Sequence, residues 1–186
     1  MQTRKDLMLN YNILDRNKIC HVLNNINVKY NCNLCEENFL KENIFLEFSG
    51  NNFSQVFIFK VGEFNKLMEV LNGLKALRYF PYSAGMPIVV VHERENEAEP
   101  LIPFGYIMLK YCNNIFTIPD SKLGEKFTYG KEIVIVNKGK KYLPGYYLVV
   151  SPEGYFLGYA RLNITRQNEV VVIPIRDIGW YLRKGR

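Results

Sequence analysis

Four short β-rich runs crowd the last third of this chain, at residues 133–136, 146–150, 156–162 and 170–175, separated by Asn137-Lys138-Gly139, Pro152-Glu153-Gly154 and Arg166-Gln167-Asn168. Strands this short and this closely spaced cannot each bury a face alone, so they predict a closed barrel or sandwich. Ahead of them, residues 121–129 predict a short helix ended by Gly130, a residue suited to the left-handed turn after a helix. The front of the chain mixes element types. Residues 44–61 read as two strands around Gly50-Asn51-Asn52, and residues 62–77 place Phe64, Leu67, Met68, Leu71, Leu74 and Leu77 on one helical stripe. Residues 88–91 predict a buried strand, and 7–23 fit a helix loosely. The polar stretch 92–100 reads as a solvated loop, before apolar character returns at 101–109.

The expected fold class is therefore α+β: an N-terminal α/β domain over 1–113 and a C-terminal barrel over 114–186. The boundary falls at the turn residues Cys112-Asn113-Asn114, where the charge balance changes. Residues 1–113 hold 12 basic and 12 acidic side chains, and residues 114–186 hold 12 and 6, so the whole net charge of +6 lies in the second part.

A composition of 48% hydrophobic and 23% charged residues is that of an ordered globular chain. No apolar run approaches the ~20 residues that cross a bilayer, and the first twelve residues lack the apolar core of a secretory signal. We therefore expect a cytoplasmic protein without membrane contact. Cys20, Cys32, Cys35 and Cys112 are then expected to be reduced thiols, with no structural disulfide.

Signatures of catalysis are missing from the sequence. His21 and His92 are the only histidines and lie in no metal-ligand spacing; there is no G-x-G-x-x-G, no phosphate-cradling G-x-x-x-x-G-K and no G-x-S-x-G. The four aspartates, Asp6, Asp15, Asp120 and Asp177, leave few candidates for an acid–base pair. Cys32-x-x-Cys35 is the one metal-like spacing. Ordinary thiols are the reading adopted for it, with a zinc site completed by Cys20 or His21, or a redox pair, as alternatives. Neither a catalytic residue, a metal nor a cofactor is expected.

The basic segment carries the positive signal. Lys138, Lys140 and Lys141 cluster on one turn, while Arg161, Arg166, Arg176, Arg183 and Lys184 follow on or near later strands. Cations on a rigid β scaffold neutralise phosphates without the ordering cost of a tail, and Tyr129, Tyr142, Tyr155 and Tyr159 are candidates to stack on unpaired bases. The competing reading is a solvated basic face with core tyrosines.

Two passages decide between them. Residues 125–136, EKFTYGKEIVIV, resemble the helix, Tyr-Gly turn and strand that open a PUA domain, and residues 170–183, VVVIPIRDIGWYLR, resemble the closing strand and ending of the Nip-seven family of ribosome biogenesis factors. The intervening YFLGYA at 155–160 is similar to a family strand. The resemblance covers 115–186 by motif and the first domain only by architecture; the stretch 92–100 and the Cys32/Cys35 pair depart from it, as in a divergent, archaeal member. It implies a PUA-type β-barrel and a non-catalytic factor in large-subunit assembly and pre-rRNA processing, binding uridine-rich single-stranded RNA and other assembly proteins. Its RNA groove would be lined by Lys126, Tyr129, Gly130 and Lys131 on one side and Arg176, Arg183 and Lys184 on the other. Asp177 and Gly179 take structural roles as turn cap and tight bend, while Trp180 either anchors the last turn or stacks on a partner. An RNA-modifying enzyme, or its substrate-docking subunit, is the rival class. A scaffold for an RNA-processing complex is the third. A eukaryotic member would be nucleolar.

Overall fold

The computed structural model describes residues 10–49, 53–79, 81, 84–92, 97–136 and 142–184. They divide into two compact units: Met1–Ile26 with Leu34–Phe104, and Asn27–Asn33 with Gly105–Arg186.

The first unit is built on a five-stranded antiparallel meander, β1 (Asn10–Leu14), β2 (Asn43–Ser49), β3 (Phe53–Lys60), β4 (Met86–His92) and β5 (Glu97–Pro100), in sequential order. Neighbouring residues Phe45 and Leu46 on β2 point to opposite faces, and both are buried, so the sheet is covered on both sides. On one side, Leu46, Phe48 and Phe57 pack with Leu71 of α3 (Phe64–Ala76). Opposite, Phe39 of α2 (Glu37–Glu42) meets Phe45 edge-to-face at 5.6 Å. The hairpin strands and the 62–77 helix lie where hydrophobic periodicity put them; the expected turn at 50–52 is outside the described residues.

Two expectations for this unit change. The loose 7–23 helix is a strand followed by α1 (Arg16–Tyr30), because residues 10–14 pair with β2 and Asp15 accepts the Lys18 N–H at 2.9 Å as helix cap. The acidic stretch is not simply a loop: β4 runs to His92, and β5 pairs with it in the register His92 to Glu97. Ala98 and Pro100 are buried while Glu97 and Glu99 are half-exposed, the alternation of an edge strand, where proline and charge are tolerated.

The end of α3 matters below. Tyr79 N–H bonds back to the Leu74 carbonyl at 2.9 Å and Arg78 N–H to that of Lys75 at 3.0 Å, with Arg78 at φ 58°. These are the two bonds of a Schellman cap, whose left-handed position ordinarily falls to glycine.

In the second unit, residues 31–33 pair with 111–113: Asn33 N–H bonds to Tyr111 O at 2.8 Å and Asn113 N–H to Asn31 O at 2.9 Å. This pairing brings 27–33 into the unit and sets the division between Phe104 and Gly105, nine residues before the expected boundary. The sheet runs β6 (Ile115–Thr117), β8 (Gly145–Val150), β9 (Phe156–Ile164), β10 (Glu169–Asp177), β7 (Ile133–Val136), antiparallel except for β6 on β8. It curls around Phe116, Ile118, Phe127, Val149, Leu162 and Val172, with α5 (Ser121–Thr128) laid against it. The four β-rich runs are its four longest strands, and the fold is α+β with a curled, barrel-like C-terminal sheet.

The cysteines overturn the expectation of free thiols. Cys20 pairs with Cys35 in the first unit, and Cys32 with Cys112 in the second. Cys32 and Cys35, expected as ordinary thiols, go to different partners, Cys32 facing Cys112 across the 31–33/111–113 bridge. Among the described residues no three His, Cys, Asp or Glu side chains gather as a metal site, and no helix is long and apolar enough to cross a membrane.

Two outcomes are expected. Alkylation of the denatured protein, purified without reductant, should label no cysteine before reduction and four after it. Arg78→Gly should raise the unfolding free energy in urea by about 1 kcal/mol, by removing a side chain from left-handed backbone.

Candidate nucleic-acid interface

α5 is amphipathic and short. Asp120 caps it, accepting the Leu123 N–H at 2.9 Å, while Phe127 is fully buried and Leu123 packs on the core. That orientation leaves Lys126 exposed and Tyr129, just past the last turn, 59% exposed. The helix closes with the same pair of bonds as α3: Lys131 N–H to Lys126 O at 3.3 Å and Gly130 N–H to Phe127 O at 2.8 Å. Here the left-handed position, φ 72°, is held by glycine.

Against this turn lies the C-terminal ending. Asp177, the last residue of β10, is 2% exposed. A buried carboxylate requires partners, and this one has three hydrogen-bond donors. Gly179 N–H donates to Oδ1 at 2.9 Å, and Arg183 of α6 (Trp180–Lys184) grips both oxygens, Nη1 to Oδ1 at 3.0 Å and Nη2 to Oδ2 at 2.5 Å. Arg183 Nη1 also donates to the carbonyl oxygen of Thr128 at the end of α5. One guanidinium thus joins β10, α6 and α5. Two glycines make room for it. A Cβ on Gly179 would overlap the Thr128 carbonyl oxygen, and one on Gly130 would stand 3.0 Å from Arg183 Nη2.

The hydrogen bonds that Arg183 donates to Asp177 raise its pKa above the ordinary arginine value. A group raised on folding contributes stability below its unfolded pKa and loses it only as pH climbs through the folded one. For an arginine that window lies far above neutrality, so Arg183 does not titrate out of the pair in any ordinary buffer.

The expected site residues therefore separate. Lys126, Tyr129, Gly130 and Lys131 form one continuous, exposed turn, and Arg183 stands behind Gly130 as its support, its guanidinium committed to Asp177 and Thr128. Arg176 lies over the Trp180 ring at 5.4 Å, a cation–π pair that makes Trp180 an internal partner of the ending. Arg161, exposed on β9, stands in register with Tyr146 and Ile173. Lys138, Lys140 and Lys141 lie outside the described residues, and of Lys184 only the helical backbone is described. Of the four candidate stacking tyrosines, Tyr159 is 1% exposed, and Tyr142 packs against Phe116 and Tyr147, its pKa raised by burial and then by Tyr147. Tyr129 and Tyr155 remain open to solvent. Sequence reasoning missed Lys29, whose ammonium lies 4.6 Å from the centre of the Tyr146 ring. Nothing near Lys29 in the sequence signals that it joins the C-terminal unit.

Removing Arg183 leaves a nearly waterless carboxylate with a single backbone donor, whereas removing Asp177 leaves a guanidinium whose side chain is 34% exposed and can rehydrate. Arg183→Ala should cost about 3 kcal/mol in urea denaturation, and Asp177→Ala distinctly less. Equal losses would mean that water reaches Asp177.

The same C-terminal stretch is where known families match. Residues 117–186 match the family model described as the UPF0113 PUA domain. A UPF0113 protein of Aeropyrum pernix is 31% identical over 129 residues, covering 67% of this chain and 72% of the relative. A hypothetical protein from the hyperthermophilic archaeon Pyrococcus horikoshii OT3 aligns in structure over 93% of this chain and 99% of its own, at a TM-score of 0.49 and 10% identity. With a PUA module over its basic C-terminal part and a relative at this identity over two thirds of its length, the chain belongs to the UPF0113 family.

Proposed function

We propose that this chain is a non-catalytic RNA-binding factor of ribosome biogenesis, akin to the Nip-seven factors, in which the PUA module grips RNA and the N-terminal unit contacts other assembly proteins. A PUA domain implies RNA binding. The observation that carries the reading to particular residues is the turn 126–131: two exposed lysines and an exposed tyrosine on a glycine-closed cap, braced from behind by Arg183. Such a turn offers phosphates two cations and close access to backbone at Gly130, and offers an unpaired base the Tyr129 ring. Arg176 beside Trp180 extends the basic surface along the closing strand. The RNA class in view is single-stranded, uridine-rich precursor rRNA, met in the cytoplasm or, in a eukaryote, the nucleolus.

The Asp177–Arg183 pair changes which substitutions test the idea. Arg183 is a support, so its loss would confound folding with binding; Lys126 and Lys131 are exposed and carry no such burden. With about four cations on phosphates, log affinity should fall against log salt with a slope near −3, about −0.7 per contact. Lys126→Glu with Lys131→Glu should weaken binding to a single-stranded uridine-rich oligonucleotide by about tenfold or more and flatten that slope, with the urea midpoint unchanged. An unchanged affinity would move the site off this turn, and a slope near zero would end the electrostatic mechanism.

A further inference from the structure

Three features of α3 are unfavourable or idle for the chain by itself, and they lie together. Gly73 sits inside the helix, where glycine is worse than alanine, yet a Cβ there would meet no atom within 4 Å beyond its own helix and chain neighbours. Among the described residues none outside the helix packs into that gap. Arg78 holds the left-handed cap position that glycine fills at the end of α5. Beside them, Val70, Leu77 and Tyr79 are 53%, 68% and 70% exposed. Val70, Gly73 and Leu77, the last expected on the core stripe but exposed here, recur at helical spacing and form a second stripe, distinct from Leu67, Met68 and Leu71, which pack on the sheet.

A residue kept against local preference points to a constraint from elsewhere. Here the face has a pattern: a glycine between two exposed aliphatic side chains, with charges of opposite sign toward its two ends. Glu69 and Arg78 are both exposed, and neither side chain has a hydrogen bond or ion pair to another described residue. That pattern is complementary to itself. When two α3 helices cross antiparallel with their midpoint between Gly73 and Leu74, Val70 of one copy lies level with Leu77 of the other, and Glu69 level with Arg78. The two glycines let the backbones approach.

We propose that α3 is a self-association face, by which two copies of this chain pair through an antiparallel α3–α3 contact centred on Gly73 and framed by two Glu69–Arg78 ion pairs. This is independent of the RNA-binding reading, because the face lies in the first unit and uses none of the residues 126–131. One helix face is smaller than a standard stable interface, so the pairing is weak, in the micromolar range, and loosened by salt.

Sedimentation of the full chain over a rising concentration series tests it. A reversible monomer–dimer equilibrium is expected, weakened by about tenfold in Glu69→Arg and in Arg78→Glu, where like charges meet. An equimolar mixture of those two variants should associate as the parent does, since each Arg then faces a Glu. Arg78→Gly should weaken pairing while raising the urea midpoint, a combination that a purely structural role for Arg78 would not give. A monomer at every concentration would overturn the proposal, as would a dimer indifferent to both reversals or a mixture that fails to recover. Glu69→Arg that alters RNA affinity and leaves association unchanged would assign the face to RNA and overturn it equally.

Discussion

The arrangement of the basic C-terminal unit hangs on one buried carboxylate. Asp177 ends β10 at a point where water is excluded, and an ionised carboxylate there is tolerable only if its lone pairs are met. Arg183 meets them with the two-pronged geometry that lysine cannot offer, and its remaining reach takes in the Thr128 carbonyl. The last helical turn, the last strand and the end of α5 are therefore fixed by a single side chain. What this braces is the turn 126–131, which Phe127 anchors in the core from one side and Arg183 supports from the other.

The two units divide the electrostatic labour. The first unit holds 10 basic and 12 acidic side chains and the second 14 and 6, so the first is close to balanced and the excess positive charge lies in the second. A balanced surface is also the kind on which short-range apolar and paired-charge contacts decide specificity, and the exposed stripe on α3 is of that character.

Much of this was legible from the sequence. Alternation and turn residues located the long strands, a 3–4 spacing located α3, and the Asp-Ile-Gly-Trp-Tyr-Leu-Arg ending marked the closing segment. What was hidden had a common cause, namely pairing between residues far apart. β1 carries no pattern that β2 does not confer on it, and β5 reads as polar because it is an edge. Cys32 and Cys112 are 80 positions apart, so nothing in the local sequence marks their pairing, and all four cysteines read as free thiols. Arg183 looked like an RNA ligand because charge is visible in a sequence and burial of its partner is not. Tyr159 looked like a stacking platform until the core closed over it.

Arg183 and Arg78 make the instructive contrast. Both sit near a Schellman cap of the same bonding pattern, one on α5 and one on α3. At α5 the left-handed residue is Gly130, and a reason lies within the chain: a Cβ there would press on Arg183. At α3 the left-handed residue is an arginine, and Gly73 leaves a space that the chain does not fill. A glycine explained by its neighbours reports on the fold, whereas Gly73 takes its place in the proposed contact from the exposed stripe and the charges around it rather than from any neighbour in the chain. Geometry separates the two cases where sequence does not, since both helices read as amphipathic and both ends read as turns. That is why α5 is assigned here to the internal architecture of an RNA-binding module, and α3 to an encounter between molecules.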